Sequence, residues 1–195
     1  MWRYTWHKAF RLYPILALLL FFTVWGLCEE PENLALGKPV WTSGGIGQGV
    51  PELLTDGNTA SNPYLGGPNR VQVDLEKPVT INVIKLWHYW QDGRTYHQNR
   101  VAVTLKDKKL LPFEQFDPDE IVFDSDVDGE YPETAEGKRI EFEPREVRYI
   151  HAWVGGNTVN QWSHWSDVEI SGMALTRSRR KRVDRQIVVE FSGGV

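Results

Sequence analysis

The chain has 195 residues, a net charge of −4 and a single cysteine, and this length favours one domain. Residues 29–176 hold 13 Lys and Arg against 24 Asp and Glu, a net charge of −11. This acidic body argues against nucleic acid as a partner, because nucleic-acid binding needs a basic surface. The lone Cys28 excludes an intramolecular disulfide, so stability must come from the core or from a bound metal ion.

Residues 1–28 have the pattern of a secretory signal peptide. Arg3, Lys8 and Arg11 supply positive charge, and an apolar run follows from residue 12 to residue 27. The run is shorter than the roughly 20 apolar residues that a membrane span needs. We therefore expect cleavage before Glu29 and a secreted, extracellular product, with an uncleaved signal anchor as the alternative.

Residues 29–176 form a series of short apolar segments separated by turn residues, without helical periodicity. Strands are expected at residues 40–42, 71–75, 81–87, 101–104, 121–123, 139–143 and 146–154, and from residue 168 onward. Residues 51–54 fit one helical turn, residues 76–78 a turn, and residues 107–119 an irregular polar insertion. About eight short strands of this kind predict an all-β antiparallel sandwich or barrel.

Short sequence segments occur here in an order that is typical of one extracellular family. They are Asn33–Val40, Leu54–Asn58, Val71–Leu75, Ile81–Ile84, Val147–Ile150 and Val168–Gly172. In this order they resemble the discoidin family, also called coagulation factor V/VIII type C domains, over residues 33–172. The resemblance implies a galactose-binding-like jelly roll that binds ligands without catalysis, usually sugars, through loops at one end of the sandwich.

Two loops, at residues 88–97 and 155–165, are dense in aromatic and polar side chains. A sugar site needs rings that stack on C–H faces and polar groups that bind hydroxyls, whereas a connection between strands needs neither. Trp90 and Trp162 are predicted to stack on the sugar, with polar neighbours holding its hydroxyls. The predicted ligand-binding set is His88, Trp90, Asp92, Arg94, Tyr96, His97, Asn157, Trp162 and His164. The alternative is a well-packed hairpin whose rings belong to the core.

The resemblance also implies a structural Ca²⁺ near the turn at residues 55–59, with Asp56, Asn58 and Glu169 as contributors. Hard oxygen ligands of this kind suit Ca²⁺. The alternative is that Asp56 and Asn58 only cap their own turn. Residues 124–129 match the opening of an EF-hand loop, but Ala135 occupies the position that needs a glutamate. That segment is therefore interpreted as a turn.

The tail, residues 177–195, begins with a dense basic cluster. Arg179, Arg180, Lys181 and Arg182 fit the recognition pattern of a secretory proprotein convertase, whose acidic cleft attracts such clusters. The alternatives are a solvated basic tail or a linker to a further region. We therefore expect a domain at residues 29–176 between a signal peptide and a processing site.

No Gly-x-Ser-x-Gly elbow and no cysteine nucleophile occur in the body of the chain, so no enzymatic activity is assigned. The sequence predicts a secreted, lectin-like module that binds glycans, stabilised by calcium. The alternative is an extracellular adhesion or protein-interaction module, or the amino-terminal piece of a convertase-processed precursor.

Overall fold

The computed structural model describes residues 32–60 and 63–172. In chain order the elements are β1 (Val40–Thr42), a 3-10 helix (Pro51–Thr55), β2 (Leu65–Gly66), β3 (Arg70–His88), β4 (Arg100–Thr104), a second 3-10 helix (Phe113–Gln115), β5 (Ile121–Asp124), α1 (Ser125–Asp128), β6 (Lys138–Trp153) and β7 (His164–Ser171). The predicted all-β class is confirmed, with seven strands in this part of the chain. The predicted signal peptide and the basic tail lie outside the described residues.

Two long strands, β3 and β6, lie at the centre of the sheet. The strand order is β2-β7-β3-β6-β4-β5, with β1 also on β3, and every pair is antiparallel. The β3–β6 register jumps from Asp74–Tyr149 to Val79–Val147, so four residues of β3 bulge out against one residue of β6. Such bulges bend a strand, and here the bend divides each long strand into two halves.

The two halves face each other across the core. Val71 and Val73 from the first half of β3 line one apolar cavity together with Ile84 and Leu86 from its second half. These side chains are all at most 2% exposed. Each fully buried aliphatic side chain contributes about 1.5–3 kcal/mol through the hydrophobic effect. One bent sheet therefore makes both layers of the sandwich.

The predicted turn at residues 76–78 is wrong, because β3 continues through it as a bulge. Glu76 has a φ of 68°, and its backbone N–H donates to Asp74 Oδ1 at 2.7 Å. Arg148 on β6 donates to both carboxylate oxygens of Asp74, at 2.9 and 3.0 Å. The segments predicted as two strands at 139–143 and 146–154 are one continuous strand, β6, which pairs with β3 on both sides of the bulge.

The first half of β3 and the strand segments paired with it form the first half-sheet. The insertion between β4 and β5 covers the outer face of this half-sheet. Phe116 is 6% exposed and packs edge-on against Trp153, with ring centroids 5.1 Å apart. Arg70 donates to the carbonyl of Lys108 at 2.6 Å and to the carbonyl of Leu111. The predicted irregular insertion is therefore a packed layer with one short 3-10 helix.

Two long loops cross the same end of the sandwich. In the first half-sheet, Trp153 pairs with both Arg70 and Arg100; in the second, His88 pairs with Trp165. The segments 89–99 and 154–163 therefore both pass from one half to the other at this end, called the loop end below. No helix among the described residues is long and apolar enough to cross a membrane.

Candidate functional site

A single arginine lies at the centre of the loop end. Arg94 Nε donates to Asp92 Oδ1 at 2.9 Å, and Arg94 Nη2 donates to Asp92 Oδ2 at 2.5 Å. These hydrogen bonds lower the pKa of Asp92 below its ordinary value. The Arg94 guanidinium also lies over the ring of Tyr89, 4.7 Å from its centroid. The predicted pair Asp92 and Arg94 therefore forms one rigid, two-pronged polar group at the loop end.

His164, the first residue of β7, presents a hydrogen-bond donor beside this pair. Its Nδ1 lies 3.4 Å from Arg94 Nη1 and 3.0 Å from Tyr96 Oη. Because a guanidinium can only donate, Nδ1 must accept, and the proton of the neutral ring lies on Nε2. Burial and the positive charge of Arg94 lower the pKa of His164 to about 4. The ring is therefore neutral at physiological pH and carries an N–H donor on its Nε2 side.

Two tyrosines flank His164. The ring of Tyr64 lies edge-on to His164 at 5.4 Å and edge-on to Tyr89 at 6.1 Å. Its hydroxyl donates to Gln48 Oε1 at 2.5 Å, which fixes the orientation of the ring. Both tyrosines are half-buried, so part of each ring is accessible to a ligand. Neither belonged to the predicted set.

Trp162 is the most exposed ring at the loop end, with 53% of its surface accessible. Its indole packs against Gly47, where a Cβ atom would approach the ring to 2.5 Å. Gly47 in turn donates from its backbone to Gly66 at 2.8 Å, and Gly66 pairs with His164. The loop at residues 43–48 therefore holds Trp162 next to the strand that presents His164.

The side chain of Asn157, a predicted ligand contact, is occupied within its own loop. Asn157 is 6% exposed. Its Oδ1 accepts from the backbones of Val159 and Asn160 at 2.8 and 3.0 Å, and its Nδ2 donates to the carbonyl of Trp162 at 2.7 Å. Asn157 therefore shapes the turn that presents Trp162.

His88 and Tyr96, two further predicted ligand contacts, have side chains that lie beneath the surface. His88 is 0% exposed and Tyr96 is 2% exposed, and their rings stack with centroids 4.5 Å apart. His88 Nδ1 lies 2.8 Å from Oε1 of the buried Glu133. Removing one partner of such a buried pair is strongly destabilising. These residues support the site from below and join it to the segment 129–137.

The remaining predicted residues lie at its margins. Trp90 is half-buried, and its Nε1 donates to the carbonyl of Thr59 at 3.2 Å, which ties the indole to the turn at residues 55–60. His97 Nδ1 lies 2.8 Å from Glu130 Oε1, and both side chains are more than 40% exposed. Trp165, assigned to the second loop from the sequence, is a fully buried residue of β7.

The residues expected to bind calcium lie around a buried carboxylate that sequence analysis missed. Asp56 Oδ1 accepts from the backbone of Asn58 at 2.8 Å, as the turn-capping alternative predicts. Asp167 on β7 is 0% exposed, and its Oδ2 has no partner among the described residues. Burial, together with the charges of Asp56 and Glu169, raises the pKa of Asp167 to about 7.

No group of three His, Cys, Asp or Glu side chains converges as a metal site within residues 32–60 and 63–172. Among these residues, the buried Oδ2 of Asp167 still lacks the hydrogen-bond partner that a buried polar atom normally has.

Comparison with known proteins identifies the architecture. The sequence matches no protein-family model and no curated protein. Solved structures do match: the CBM32 of AlyQ in complex with 4,5-unsaturated mannuronic acid has a TM-score of 0.51 and 23% identity, and the match covers 68% of this chain and 92% of that one. The fold is the galactose-binding-like jelly roll.

Two further neighbours have the same jelly roll. A CBM32 module from Clostridium perfringens, in complex with GlcNAc-alpha-1,4-galactose, has a TM-score of 0.53 and 18% identity, over 73% of this chain and 96% of that one. The lectin domain of lectinolysin, complexed with Lewis B antigen, has the same TM-score and identity over 73% and 98% of the two chains. In truncated AlyQ, which also contains an alginate lyase domain, the match covers 33% of that chain.

Within the jelly roll, the residues missed from the sequence are Tyr64, Tyr89 and Asp167. Tyr89 lay in the predicted loop but was left out of the predicted set, because a ring next to the end of a strand carries no sign of its exposure. Tyr64 lies in a segment without a regular pattern, and its partners are distant in sequence. Asp167 could have been noticed as an acid inside an apolar strand, a placement that is rare unless the acid is paired.

Proposed function

We propose that this chain is a non-catalytic carbohydrate-binding module that holds a sugar against the loop end of the jelly roll. The observation that carries the proposal is the clustering of exposed ring surface around one polar fork. Tyr64, Tyr89 and Trp162 supply the rings, and the Asp92–Arg94 pair supplies the fork. Rings of this kind stack on the C–H face of a pyranose, while the fork and His164 bind its hydroxyls.

Each polar group has a separate task in this proposal. Asp92 is 41% exposed on its side chain and accepts hydrogen bonds from sugar hydroxyls. His164 donates from Nε2 to a hydroxyl or ring oxygen. Arg94 holds Asp92 in place, and Tyr96 holds His164 in place. The neighbours crystallised with sugars and a glycan antigen support the same class of ligand.

A glycan array tests this proposal. Wild-type protein should bind a defined subset of printed glycans, and Tyr89→Ala should reduce that binding about tenfold, since buried aromatic anchors carry much of the binding energy. Leu110→Ala is a matched control, because Leu110 is 80% exposed on the insertion at residues 105–120. Equal loss in both variants, or no glycan bound by the wild type, would contradict the proposal.

A protein partner is the second candidate function. Ile46, Val159 and Trp162 are 42%, 62% and 53% exposed; Val159 and Trp162 lie in the segment 154–163, and Ile46 lies in the loop at residues 43–48 that packs against Trp162. Exposed apolar residues grouped in this way are typical of protein interaction sites. If the array is negative, an adhesion role for this surface becomes the preferred interpretation.

We also propose that a calcium ion fixes the turn at residues 55–60 to β7. Asp56, Asp167 and Glu169 would contribute carboxylate oxygens, and the carbonyl oxygen of Asn58 is a further candidate donor. The ion would neutralise three neighbouring acids and supply the cross-link that a chain without disulfides lacks. The unpaired Oδ2 of Asp167 supports this assignment.

Secretion and processing complete the proposal. The segment 1–28 would direct the chain to the extracellular space, and a proprotein convertase would cleave after Arg182. Both rest on sequence patterns in segments outside the described residues. Amino-terminal sequencing of the product from a eukaryotic host should find Glu29 first, whereas an intact Met1 on a membrane-bound product would favour the signal anchor.

A further inference from the structure

Every cationic side chain among the described residues of the loop end already has a partner or is held neutral. The described segments that make this end, 43–60, 63–69, 89–100, 125–137 and 154–164, contain only two arginines and two histidines. Arg94 donates three side-chain hydrogen bonds to the carboxylate of Asp92, and its side chain is only 9% exposed. Arg100 contacts Asp124 at 3.2 Å and Asp126 at 2.6 Å.

The two histidines offer no free positive charge either. His164 accepts from Tyr96 and lies against Arg94, so a second positive charge on its ring would be repelled. His97 contacts Glu130 at 2.8 Å, so any charge it carries is matched. The acids at this end outnumber the bases, and the whole body of the chain is acidic.

From this arrangement we infer that the site selects uncharged sugars and rejects anionic ones, namely uronates, sialylated glycans and sulfated glycans. The inference rests on the proposed carbohydrate-binding function and specifies its substrate class. An anionic group placed over the fork would lose its hydration and meet the negative charge of Asp92 without an unpaired cation to compensate it. A hydroxyl meets no such penalty, because it can donate to Asp92 and accept from His164.

The fold itself does not impose this selectivity. The AlyQ module has the same jelly roll and was crystallised with an unsaturated mannuronic acid. Selectivity must therefore come from the side chains at the loop end, and here Asp92 is the residue that neutralises Arg94. Removing the charge of Asp92 should leave the guanidinium available to an acidic sugar.

The test is an array that prints neutral glycans beside their uronate, sialylated and sulfated counterparts. Wild-type protein should bind the neutral member of each recognised pair about tenfold more strongly, a difference of about 1.4 kcal/mol. Asp92→Asn should shift this ratio toward the anionic members. Glu114→Gln, which removes the same charge from an exposed position on the insertion, should leave the ratio unchanged.

The possible outcomes distinguish the selectivity for uncharged sugars from the carbohydrate-binding function on which it rests. Anionic glycans bound as well as or better than their neutral counterparts would overturn the selectivity and leave the carbohydrate-binding function standing. Wild-type selectivity that survives Asp92→Asn unchanged would also overturn it, because the charge of Asp92 would not be its cause. Binding to no printed glycan, neutral or anionic, would overturn the proposed function and this inference together.

Discussion

Tyr96 Oη lies 3.0 Å from Nδ1 of His164, and this contact joins the segment 89–99 to the first residue of β7. The two residues are 68 positions apart in the chain. Because Arg94 Nη1 also contacts Nδ1 and can only donate, the ring proton of the imidazole lies on Nε2, and the Tyr96 contact fixes the plane of the ring. A buried residue thus sets the direction in which a surface donor points.

Tyr96→Phe should weaken glycan binding about fivefold to tenfold, because it removes one hydrogen bond worth about 1 kcal/mol and releases the His164 ring. Tyr131→Phe is the matched control, since Tyr131 Oη contacts Asn99 at 2.6 Å, away from His164. Isothermal titration with a recognised glycan measures both variants. Equal losses of affinity in the two variants would show that general destabilisation, and not the orientation of His164, is responsible.

Trp162→Ala should lower glycan affinity about tenfold and change stability little, because Trp162 is 53% exposed. Trp87→Ala should instead cost about 3–5 kcal/mol of stability, since Trp87 is 3% exposed and its Nε1 donates to the carbonyl of Ala135 at 3.0 Å. Denaturant unfolding and glycan titration separate the two effects. If the Trp162 variant unfolds, the ring of Trp162 belongs to the hydrophobic core and not to a binding surface.

The free energy of unfolding should fall as pH falls from about 6.5 toward 3 because of His151. Burial lowers the pKa of His151 to about 3 from 6.5, and the positive charge of Arg70 contributes. In this range the unfolded chain binds a proton that the folded chain does not, so acid favours unfolding. His151 Nε2 donates to Thr104 Oγ1 at 3.0 Å, while its buried Nδ1 has no partner within the described part of the chain.

His151→Gln keeps a donor for Thr104 and removes the titrating group. Urea unfolding of both proteins at several pH values gives the measurement. The difference in slope between wild type and variant should be confined to the range between the two pKa values. Identical slopes would mean that other groups control the acid sensitivity.

Chelation with EDTA should lower the melting temperature, and excess calcium should restore it by mass action. Asp167→Asn should abolish the response to calcium, since it removes the carboxylate at the centre of the proposed site. Asp126→Asn, on α1, should retain the response. A wild-type melting temperature that changes with neither EDTA nor millimolar calcium would contradict the proposed calcium site.

The strand pattern made the fold predictable, because core positions alternate along each strand. Val71 and Val73 alternate with Gln72 and Asp74, and this alternation predicted their shared face correctly. The pattern failed at Glu76, where local polarity indicated a turn and the structure has a bulge within one strand. A bulge and a turn use the same residue types, and only the partner strand distinguishes them.

The composition of the loops predicted which residues lie at the loop end better than which of their side chains are exposed there. Asp92, Arg94, Trp162 and His164 do meet at the loop end, whereas His88 lies buried beside Glu133. Sequence gives the residues of a loop without saying which of them face inward. That choice depends on contacts such as His88 with Glu133, 45 positions apart, which no local pattern encodes.

The most direct test of the central claim is to map a bound glycan onto the structure by NMR. Titration of a glycan recognised on the array should shift the backbone amides of Tyr64, of residues 89–94 and of residues 162–164. It should also shift the imidazole resonances of His164, because the sugar is proposed to meet Nε2. Shifts confined to the insertion at residues 105–120, or to the outer face of either half-sheet, would place the ligand elsewhere and contradict the account.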